Sequence, residues 1–276
     1  MTENALADPL NVLLVGCGNI GYALLKGCLA PTDGTRMHVV EPDETLRARA
    51  EAAGASASAV SELPEGFTPD VIILAVKPFL VAELLPQYSA LAAAGTMILS
   101  VAAGITLSGM QAAVGTPAAI IRCMPNTPAS IGAGAMVCCG NAQVSQRQTA
   151  IAEKLLSPCG KVYFIDDESQ MDAVTAVSGS GPAYLFHFIE CLADAGVKAG
   201  LDKELAGELA LQTIYGASLL ATRSEDPASV LREKVTSPNG TTAAALAVLM
   251  GPDGIAPHLT EAVAAAKARS IELSGT

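Results

Sequence analysis

Apolar residues follow two different patterns in the two parts of the chain. In the first part, short continuous apolar runs alternate with stretches of helical periodicity. We predict strands over residues 11–16, 37–41, 71–76, 96–101, 118–124 and 135–139, with an edge strand over 161–166. Runs of strand length that are apolar on both faces, and that alternate with helices, are typical of a parallel sheet covered by helices on both sides.

The pattern changes near Asp166. No convincing strand follows it, and apolar residues, mostly Ala and Leu, recur at helical spacing. The sequence therefore predicts an α/β domain over residues 1–166 and an all-helical domain over 167–276. A helical domain so rich in Ala and Leu is expected to bury one face against a partner chain.

Composition narrows the class of partner. The chain has 276 residues, of which 51% are hydrophobic and 16% charged, and its net charge is −11. A protein this acidic, without a basic patch, is not expected to bind nucleic acid or an anionic membrane surface. Residues 84–121 hold no charge, but their most apolar part is shorter than a spanning helix. We interpret this segment as two buried strands joined by a turn.

Cysteine and histidine usage bears on the compartment and on metals. The chain has seven cysteines, none in a C-x-x-C pair, and only three histidines. We expect reduced, mostly buried thiols in a cytoplasmic protein, with no structural disulfide and no metal site.

A glycine motif lies between the first predicted strand and the helix after it. The segment from Gly16 to Gly21 reads G-x-G-x-x-G. In this context Gly16 permits the tight turn, Gly18 lets the backbone approach a pyrophosphate, and Gly21 lets the helix pack close to the strand. With Asn19 and Ile20, they predict a Rossmann-type domain that binds cofactor phosphates at a helix N-terminus. A glycine-rich turn without a ligand is the alternative.

Glu41 stands at the end of the second predicted strand, at the distance from the glycines where an acid commonly binds ribose. A carboxylate here accepts hydrogen bonds from the adenosine ribose of NAD and repels the 2′-phosphate of NADP. The cofactor is therefore expected to be NADPH or NADH, with Glu41 favouring use of NADH. Arg36, Arg47 and Arg49 are near enough in sequence to offset this repulsion. A solvated strand-end charge is the alternative interpretation of Glu41.

Further cofactor contacts are expected after the later strands, because ligands of open α/β sheets bind beyond the carboxyl ends of the strands. The candidates are Ala75, Val76, Lys77, Pro78, Ala102, Gly104 and Asn126. Pro125 and Pro128 hold an extended turn that is expected to fix Asn126 near the nicotinamide end. The alternatives are a surface cation for Lys77 and a turn-forming side chain for Asn126.

The sequence offers no obvious acid or base for the reduction of a carbonyl. His38 lies in a predicted strand, and His258 follows a proline near the last helix. His187 lies on an apolar helix, where a packed core histidine is the usual interpretation. A protonated imine is already electrophilic and needs orientation more than acid catalysis. The sequence therefore favours a C=N acceptor.

Four segments resemble Δ1-pyrroline-5-carboxylate reductase. AVKP, RCMPNTP, DAVTAVSGSGPAYLFHFIE and VTSPNGTT match motifs of that family, in its order and along nearly the whole chain. The resemblance implies a Rossmann domain followed by a helical dimerisation domain, and reduction of Δ1-pyrroline-5-carboxylate to L-proline with NADPH or NADH. It also implies dimers that interleave and often assemble further, commonly into decamers.

The same resemblance places the substrate site in VTSPNGTT. A turn is predicted to end at Gly240, and a helix to begin at Thr241. The amides of these two residues, with the Ser237 hydroxyl, are expected to bind the substrate carboxylate. Thr242 is the candidate catalytic residue, which orients the imine and assists proton transfer at the ring nitrogen, and Val235 lines the ring pocket. A plain helix cap is the alternative.

Asn239 departs from the resembled family, which usually has glycine there. Asn tolerates a left-handed backbone better than most residues, so the turn is expected to survive. The side chain either narrows the pocket or adds a donor to the substrate carboxylate.

Two rival functions remain open. One is another NAD(P)-dependent imine or β-hydroxyacid reductase on the same two-domain plan, in which Lys198 or Lys203 would have to donate the proton. The other is a non-catalytic cofactor-binding dimer.

Overall fold

A single mixed sheet forms the centre of the first part of the chain. The computed structural model describes residues 9–29 and 34–274. Within them the strands are β1 (Asn11–Val15), β2 (Arg36–Val40), β3 (Ser56–Ser58), β4 (Val71–Leu74), β5 (Met97–Ser100), β6 (Ile120–Met124), β7 (Gly134–Gly140) and β8 (Gly160–Phe164). Their order across the sheet is β3-β2-β1-β4-β5-β6-β7-β8.

The sheet is only partly parallel. Every neighbouring pair from β3 to β6 is parallel, as expected, whereas β7 runs antiparallel to β6 and β8 runs parallel to β7. The connection from β6 to β7 contains only a 3₁₀ turn, Thr127–Ile131. Parallel neighbours need a longer crossover, usually through a helix, so the chain reverses direction here. The expectation of a wholly parallel sheet was therefore wrong at this edge.

Helices cover both faces of the sheet. They are α1 (Asn19–Leu29), α2 (Glu44–Ala52), α3 (Pro78–Leu84), α4 (Ser89–Ala93), α5 (Leu107–Val114), α6 (Gln146–Leu156) and α7 (Met171–Val174). The helix that the sequence predicts from Phe79 to Ala93 is divided between α3 and α4 by a 3₁₀ segment at Leu85–Tyr88. Pro86 explains the break, because proline cannot donate the backbone bond that a continuous helix requires.

Two apolar clusters lie on opposite faces of the sheet. Val12 and Leu14 belong to one cluster, and Leu13 and Val15 to the other. Side chains of a strand alternate between faces, so β1 is buried on both sides, as the continuous apolar run predicts. No helix in the described ranges is long and apolar enough to span a bilayer.

The described residues divide into two compact units. The first runs to Gly179 and includes the end of the chain from Lys267, and the second spans Ser180–Ala266. The first unit ends in a π-helical turn, Thr175–Gly179. The helices after it are α8 (Gly181–Lys198), α9 (Lys203–Arg223), α10 (Ala228–Lys234), α11 (Thr241–Leu249) and α12 (Ile255–Ser274).

The second unit leaves much apolar surface uncovered. Its buried apolar residues are Ala206 and Ala210 of α9. A methyl group added at Gly196 of α8 would lie 3.2 Å from Ala206 Cβ, so these two helices pack closely. Larger apolar side chains are exposed, among them Leu185, Phe186, Leu209, Leu211, Tyr215, Val248, Leu249 and Met250. Apolar surface on this scale is typical of a subunit interface.

Candidate active site

The glycine loop between β1 and α1 has three distinct glycine environments. Gly16 has a φ of +88°, and a Cβ there would lie 2.6 Å from the Ala75 oxygen. A Cβ at Gly21 would lie 2.3 Å from the Gly16 oxygen. At Gly18, by contrast, a Cβ would meet no protein atom within 4 Å. Gly16 and Gly21 are therefore required by the fold, whereas Gly18 leaves open space in front of the loop.

A cavity of about 640 Å³ opens beside this loop. Its volume is within the usual range for cofactor sites. Of the residues predicted to bind the cofactor, it is lined by Gly16, Gly18, Glu41, Ala75, Val76 and Lys77. The carboxyl ends of β1, β2 and β4 meet at this cavity, which is the position expected for a ligand in an open α/β sheet.

The other predicted cofactor residues lie outside the cavity lining. Asn19, Ile20 and Gly21 form the first turn of α1, and Pro78 is the first residue of α3. Ala102 and Gly104 follow β5, where a Cβ at Gly104 would lie 3.6 Å from the Leu273 oxygen. The structure thus brings together the residues that follow β1, β2 and β4, and leaves those after β5 and β6 outside this cavity.

Glu41 is a buried carboxylate, only 8% exposed. Its Oε2 accepts the Cys17 backbone N–H at 2.7 Å, and its Oε1 accepts the Asp43 N–H at 3.0 Å. The interpretation as a solvated strand-end charge therefore does not describe this residue. A carboxylate oxygen accepts more than one hydrogen bond, so Glu41 retains capacity for a ligand in the cavity.

The three nearby arginines have different positions. Arg36 lies at the amino end of β2, where its Nε donates to Asn11 Oδ1 at 2.9 Å, so it is at the wrong end of the strand to offset the charge of Glu41. Arg47 donates from Nη1 to the backbone oxygens of Glu41 and Pro42, at 2.8 and 2.5 Å. Arg49 donates to oxygens of the glycine loop.

Several cavity residues were not predicted from the sequence. Ala59, Val60 and Ser61 follow β3, and Phe79, Leu80, Leu84 and Gln87 come from α3 and the segment after it. β3 is short and polar, so it has no apolar run to reveal it. One indirect clue was present at the end of β2. A strand that pairs in parallel with β2 brings its carboxyl end to the same edge of the sheet as Glu41.

Asn126 connects three parts of the first unit. Its Nδ2 donates to the Ser178 oxygen in the π-helical turn at 3.0 Å, and its Oδ1 accepts the Ala135 N–H of β7 at 2.9 Å. A Cβ at Gly179 would lie 2.6 Å from Met124 Cε, so the turn packs tightly on the end of β6. One donor and one acceptor of the Asn126 amide are therefore used within the protein.

The turn before α11 has a defined geometry. Gly240 N–H donates to the Ser237 oxygen at 3.0 Å, and Asn239 has a φ of 58°. With Pro238 at the second position and a positive φ at the third, this is a type II turn. Asn239 is the non-glycine residue with positive φ in the described part of the chain, and it preserves the left-handed conformation expected there.

The same turn changes the set of free donors. The Gly240 amide is already bonded within the turn, so in this structure it is not a free donor for the substrate carboxylate. Gly240 is the N-cap of α11, and no side chain caps the helix. The first amides of a helix have no partner within the helix. The free donors at this helix start are therefore the amides of Thr241, Thr242 and Ala243.

The predicted substrate residues are largely open in the single chain. Val235 is 64% exposed, and Ser237, Asn239 and Thr241 are also exposed, whereas Thr242 is half-buried. Within the second unit, a separate cavity of about 400 Å³ is lined by neighbours of this segment, including Arg232, Thr236 and Ala243.

The three histidines do not form a catalytic group at the cofactor cavity or at the turn before α11. His38 is buried in β2, with ring nitrogens 2.8 Å from Ser56 Oγ and 3.0 Å from Ser58 Oγ, and burial lowers its pKa. His187 is exposed and pairs with Glu190 at 3.1 Å, so its interpretation as a packed core histidine was wrong for the single chain. His258 is exposed on α12.

Thiols and metal ligands add no further chemistry. The described ranges include all seven cysteines, and none of them is in a disulfide. Burial raises the pKa of the Cys17 thiol in the glycine loop and raises that of Cys159 to about 11. No group of three or more potential metal ligands occurs among the described residues.

Comparison with known proteins identifies the family. The family described as pyrroline-5-carboxylate reductase dimerisation matches residues 168–273, and the family described as NADP oxidoreductase, coenzyme F420-dependent, matches residues 11–104. A pyrroline-5-carboxylate reductase of Pseudomonas aeruginosa is 39% identical over 264 residues, which cover 95% of this chain and 96% of the relative.

Solved structures agree. A pyrroline-5-carboxylate reductase from Coxiella burnetii superposes with a TM-score of 0.91 at 32% identity, covering 98% of this chain and 100% of that one. The Plasmodium falciparum pyrroline carboxylate reductase, solved with NADP bound, gives a TM-score of 0.79 at 29% identity, covering 96% and 98%. With its Rossmann-type and helical domains in the same order, this chain belongs to the pyrroline-5-carboxylate reductases, the NAD(P)H-dependent enzymes that reduce Δ1-pyrroline-5-carboxylate to proline.

Proposed function

We propose that the start of α11 holds the substrate carboxylate and that the nicotinamide cofactor binds along the glycine loop of the first unit. The observation that supports the substrate site most directly is the uncapped first turn of α11. It presents the amides of Thr241 and Thr242 behind a type II turn that fixes Ser237. A helix N-terminus attracts an anion through these amides and through the helix dipole.

The proposed roles follow from the chemistry of a cyclic imine. The Thr241 and Thr242 amides and the Ser237 hydroxyl bind the carboxylate, Asn239 shapes the turn, and Val235 contacts the ring. The Thr242 hydroxyl orients the ring nitrogen and assists its protonation, which leaves the C=N carbon electron-poor. When bound, the cofactor supplies the hydride for that carbon. Orientation is the main task of these residues, because a protonated imine is reactive without a strong acid.

The cofactor site fits a dinucleotide. Open space in front of Gly18 allows a pyrophosphate to approach the backbone. We propose that Asn19, Ile20 and Gly21 complete the phosphate site at the start of α1. Lys77 lines the cavity, and we propose that it contacts the cofactor together with Pro78, the residue after it.

Nearer the nicotinamide, we propose contributions from Ala75, Val76, Ala102, Gly104 and Asn126. For Asn126 this role is indirect, because its amide already ties the π-helical turn to β7. The second Nδ2 hydrogen of Asn126 remains available to donate to a ligand.

We propose that NADH is a usable cofactor and that Glu41 selects for it. The carboxylate borders the cavity and is buried, which strengthens its repulsion of a 2′-phosphate. Arg47 and Arg49 are both bonded to backbone oxygens rather than directed at the carboxylate.

The functional assembly is proposed to be a homodimer formed through the exposed apolar helices, with a decamer as its further assembly. Residues 167–276 are the proposed dimerisation and substrate domain, which agrees with the matched range 168–273. Reduced cysteines, including the exposed Cys191, are consistent with the cytoplasm as its compartment.

Oxidation of NADH and NADPH, followed by absorbance with Δ1-pyrroline-5-carboxylate, tests the proposed function. We expect turnover with both cofactors and a higher kcat/KM with NADH. If the enzyme instead turns over a β-hydroxyacid and its corresponding oxo acid, the rival reductase is favoured. Cofactor binding without turnover of either substrate would favour a non-catalytic dimer.

A further inference from the structure

One residue of the glycine loop, Cys17, has both of its backbone polar groups bonded by charged side chains. The Cys17 N–H donates to Glu41 Oε2 at 2.7 Å, and the Cys17 oxygen accepts from Arg49 Nη2 at 2.6 Å. The same Nη2 lies 3.3 Å from the Gly18 oxygen. The carboxylate follows β2 and the guanidinium projects from α2, so two neighbouring elements fix the loop of a third.

Arg49 is itself held in place. Its guanidinium carbon lies 4.0 Å from the centre of the Tyr22 ring on α1, a distance typical of cation–π stacking. Its Nε is buried and has no hydrogen-bond acceptor among the described residues. Stacking on Tyr22 and two bonds from Nη2 restrict the rotation of this partly buried guanidinium, so its donors stay directed at the loop oxygens.

This arrangement matters for a loop that binds phosphate. The loop must present its N–H groups to the anion and turn its carbonyl oxygens away, because an oxygen directed at the phosphates would repel them. Arg49 bonds the oxygens of Cys17 and Gly18, the two residues where the pyrophosphate is expected to approach most closely. The guanidinium also adds positive charge beneath the loop, which favours an anion in front of it.

We infer that Arg49 is a positioning residue for cofactor binding: it holds the glycine loop, together with Glu41, in the conformation that receives the pyrophosphate. The inference rests on the proposed function, in which the cofactor lies on this loop. Because both nicotinamide dinucleotides share the pyrophosphate, loss of Arg49 weakens NADH and NADPH binding equally. A direct ligand of the 2′-phosphate would affect NADPH alone.

Arg49→Gln tests this inference, with Arg36→Gln as the matched control. Both substitutions remove one guanidinium, but Arg36 lies at the amino end of β2 and away from the loop. Binding of NADH and NADPH is measured by fluorescence titration, and kcat and KM by steady-state assay, on the full-length enzyme. For Arg49→Gln we expect Kd and KM for both cofactors to rise by about tenfold, with kcat within about twofold of wild type. Arg36→Gln is expected to match wild type.

A second variant covers the case in which Arg49→Gln does not fold. Arg49→Lys keeps the positive charge, but its compact ammonium group is expected to bond only one of the two loop carbonyl oxygens. We therefore expect intermediate Kd values for both cofactors. Weakening confined to NADPH in either variant overturns the inference in favour of a 2′-phosphate ligand. If Kd for both cofactors is unchanged and only the melting temperature falls, the inference is overturned, and Arg49 serves only to link α1 to α2.

Gly18→Ala, measured in parallel, separates this inference from the proposed function. If Gly18→Ala binds both cofactors as wild type does, the loop is not the cofactor site and the proposed function fails. If Gly18→Ala loses affinity and Arg49→Gln does not, the cofactor site stands and the positioning role of Arg49 is refuted.

Discussion

Gly240 donates its backbone N–H to the Ser237 oxygen, and this bond closes the turn that precedes α11. The residue between Pro238 and Gly240 must adopt a positive φ in such a turn, and Asn239 does so at 58°. The backbone of Ser237 and the first amides of α11 are therefore fixed relative to one another by this turn. The proposed carboxylate site has no arginine among its donors.

Asn239→Gly tests whether the Asn side chain does more than allow the turn. Glycine adopts the same φ without strain, so we expect kcat/KM for Δ1-pyrroline-5-carboxylate to stay within about threefold of wild type. Asn239→Val places a β-branched residue at positive φ and is expected to lower the free energy of unfolding by about 1–2 kcal/mol. Steady-state assays and urea unfolding provide both measurements. A large loss of activity in Asn239→Gly would mean that the Asn amide contacts the substrate.

Thr242→Val tests the proposed catalytic hydroxyl. Valine has nearly the same shape as threonine and leaves the helix amide in place, so the carboxylate site survives while the hydroxyl is lost. We expect kcat to fall by about tenfold to a hundredfold, with a smaller change in KM for the imine. Thr242→Ser retains the hydroxyl and is the control, with kcat near that of wild type. A rise in KM alone would assign Thr242 to binding rather than to chemistry.

Gly18→Ala and Gly21→Ala separate a cofactor contact from a folding requirement. A Cβ at Gly18 meets no protein atom within 4 Å, so thermal stability is expected to stay unchanged while KM for the cofactor rises by about tenfold. A Cβ at Gly21 would lie 2.3 Å from the Gly16 oxygen, and we expect a loss of about 1–3 kcal/mol in stability. Melting temperature and cofactor KM are measured for both. Equal stability losses in the two variants would contradict the distinction.

The sequence allowed the loop, its glycines and Glu41 to be located because their roles depend on local order along the chain. It did not reveal Val60 or Leu80, because these residues reach the cavity only through the pairing of β3 with β2 and the packing of α3. The state of the Gly240 amide was also hidden, since it depends on the turn type rather than on the residue. The antiparallel direction of β7 could have been predicted from the short connection between β6 and β7.

Glu41 bonds the glycine loop and is also the proposed selector of the cofactor, so its substitutions must be chosen to separate the two roles. Glu41→Gln removes the charge but keeps an oxygen that accepts the Cys17 N–H. We expect the ratio of kcat/KM for NADPH over NADH to rise by about tenfold, because the repulsion of the 2′-phosphate is lost. Glu41→Ser is too short to retain the bond, and we expect weaker binding of both cofactors in addition. An unchanged ratio in Glu41→Gln would show that another residue selects the cofactor.

His38 is expected to make the stability of the first unit depend on pH. The buried ring lies between Ser56 and Ser58 of β3, and burial lowers its pKa, with a weaker opposing effect from a hydrogen bond to the Glu62 backbone. The folded state therefore favours the neutral ring. As pH falls below the unfolded value of about 6.5, the unfolded chain takes up a proton that the folded chain does not, and the free energy of unfolding decreases.

We expect His38→Gln to show a shallower loss of stability than wild type between about pH 7 and pH 5, because glutamine does not titrate there. Urea unfolding at a series of pH values measures the difference between the two proteins. His258→Gln replaces an exposed histidine on α12 and is the control, expected to follow the wild-type profile. If the His38→Gln and wild-type profiles run parallel across this interval, protonation of His38 does not link pH to the stability of β2 and β3.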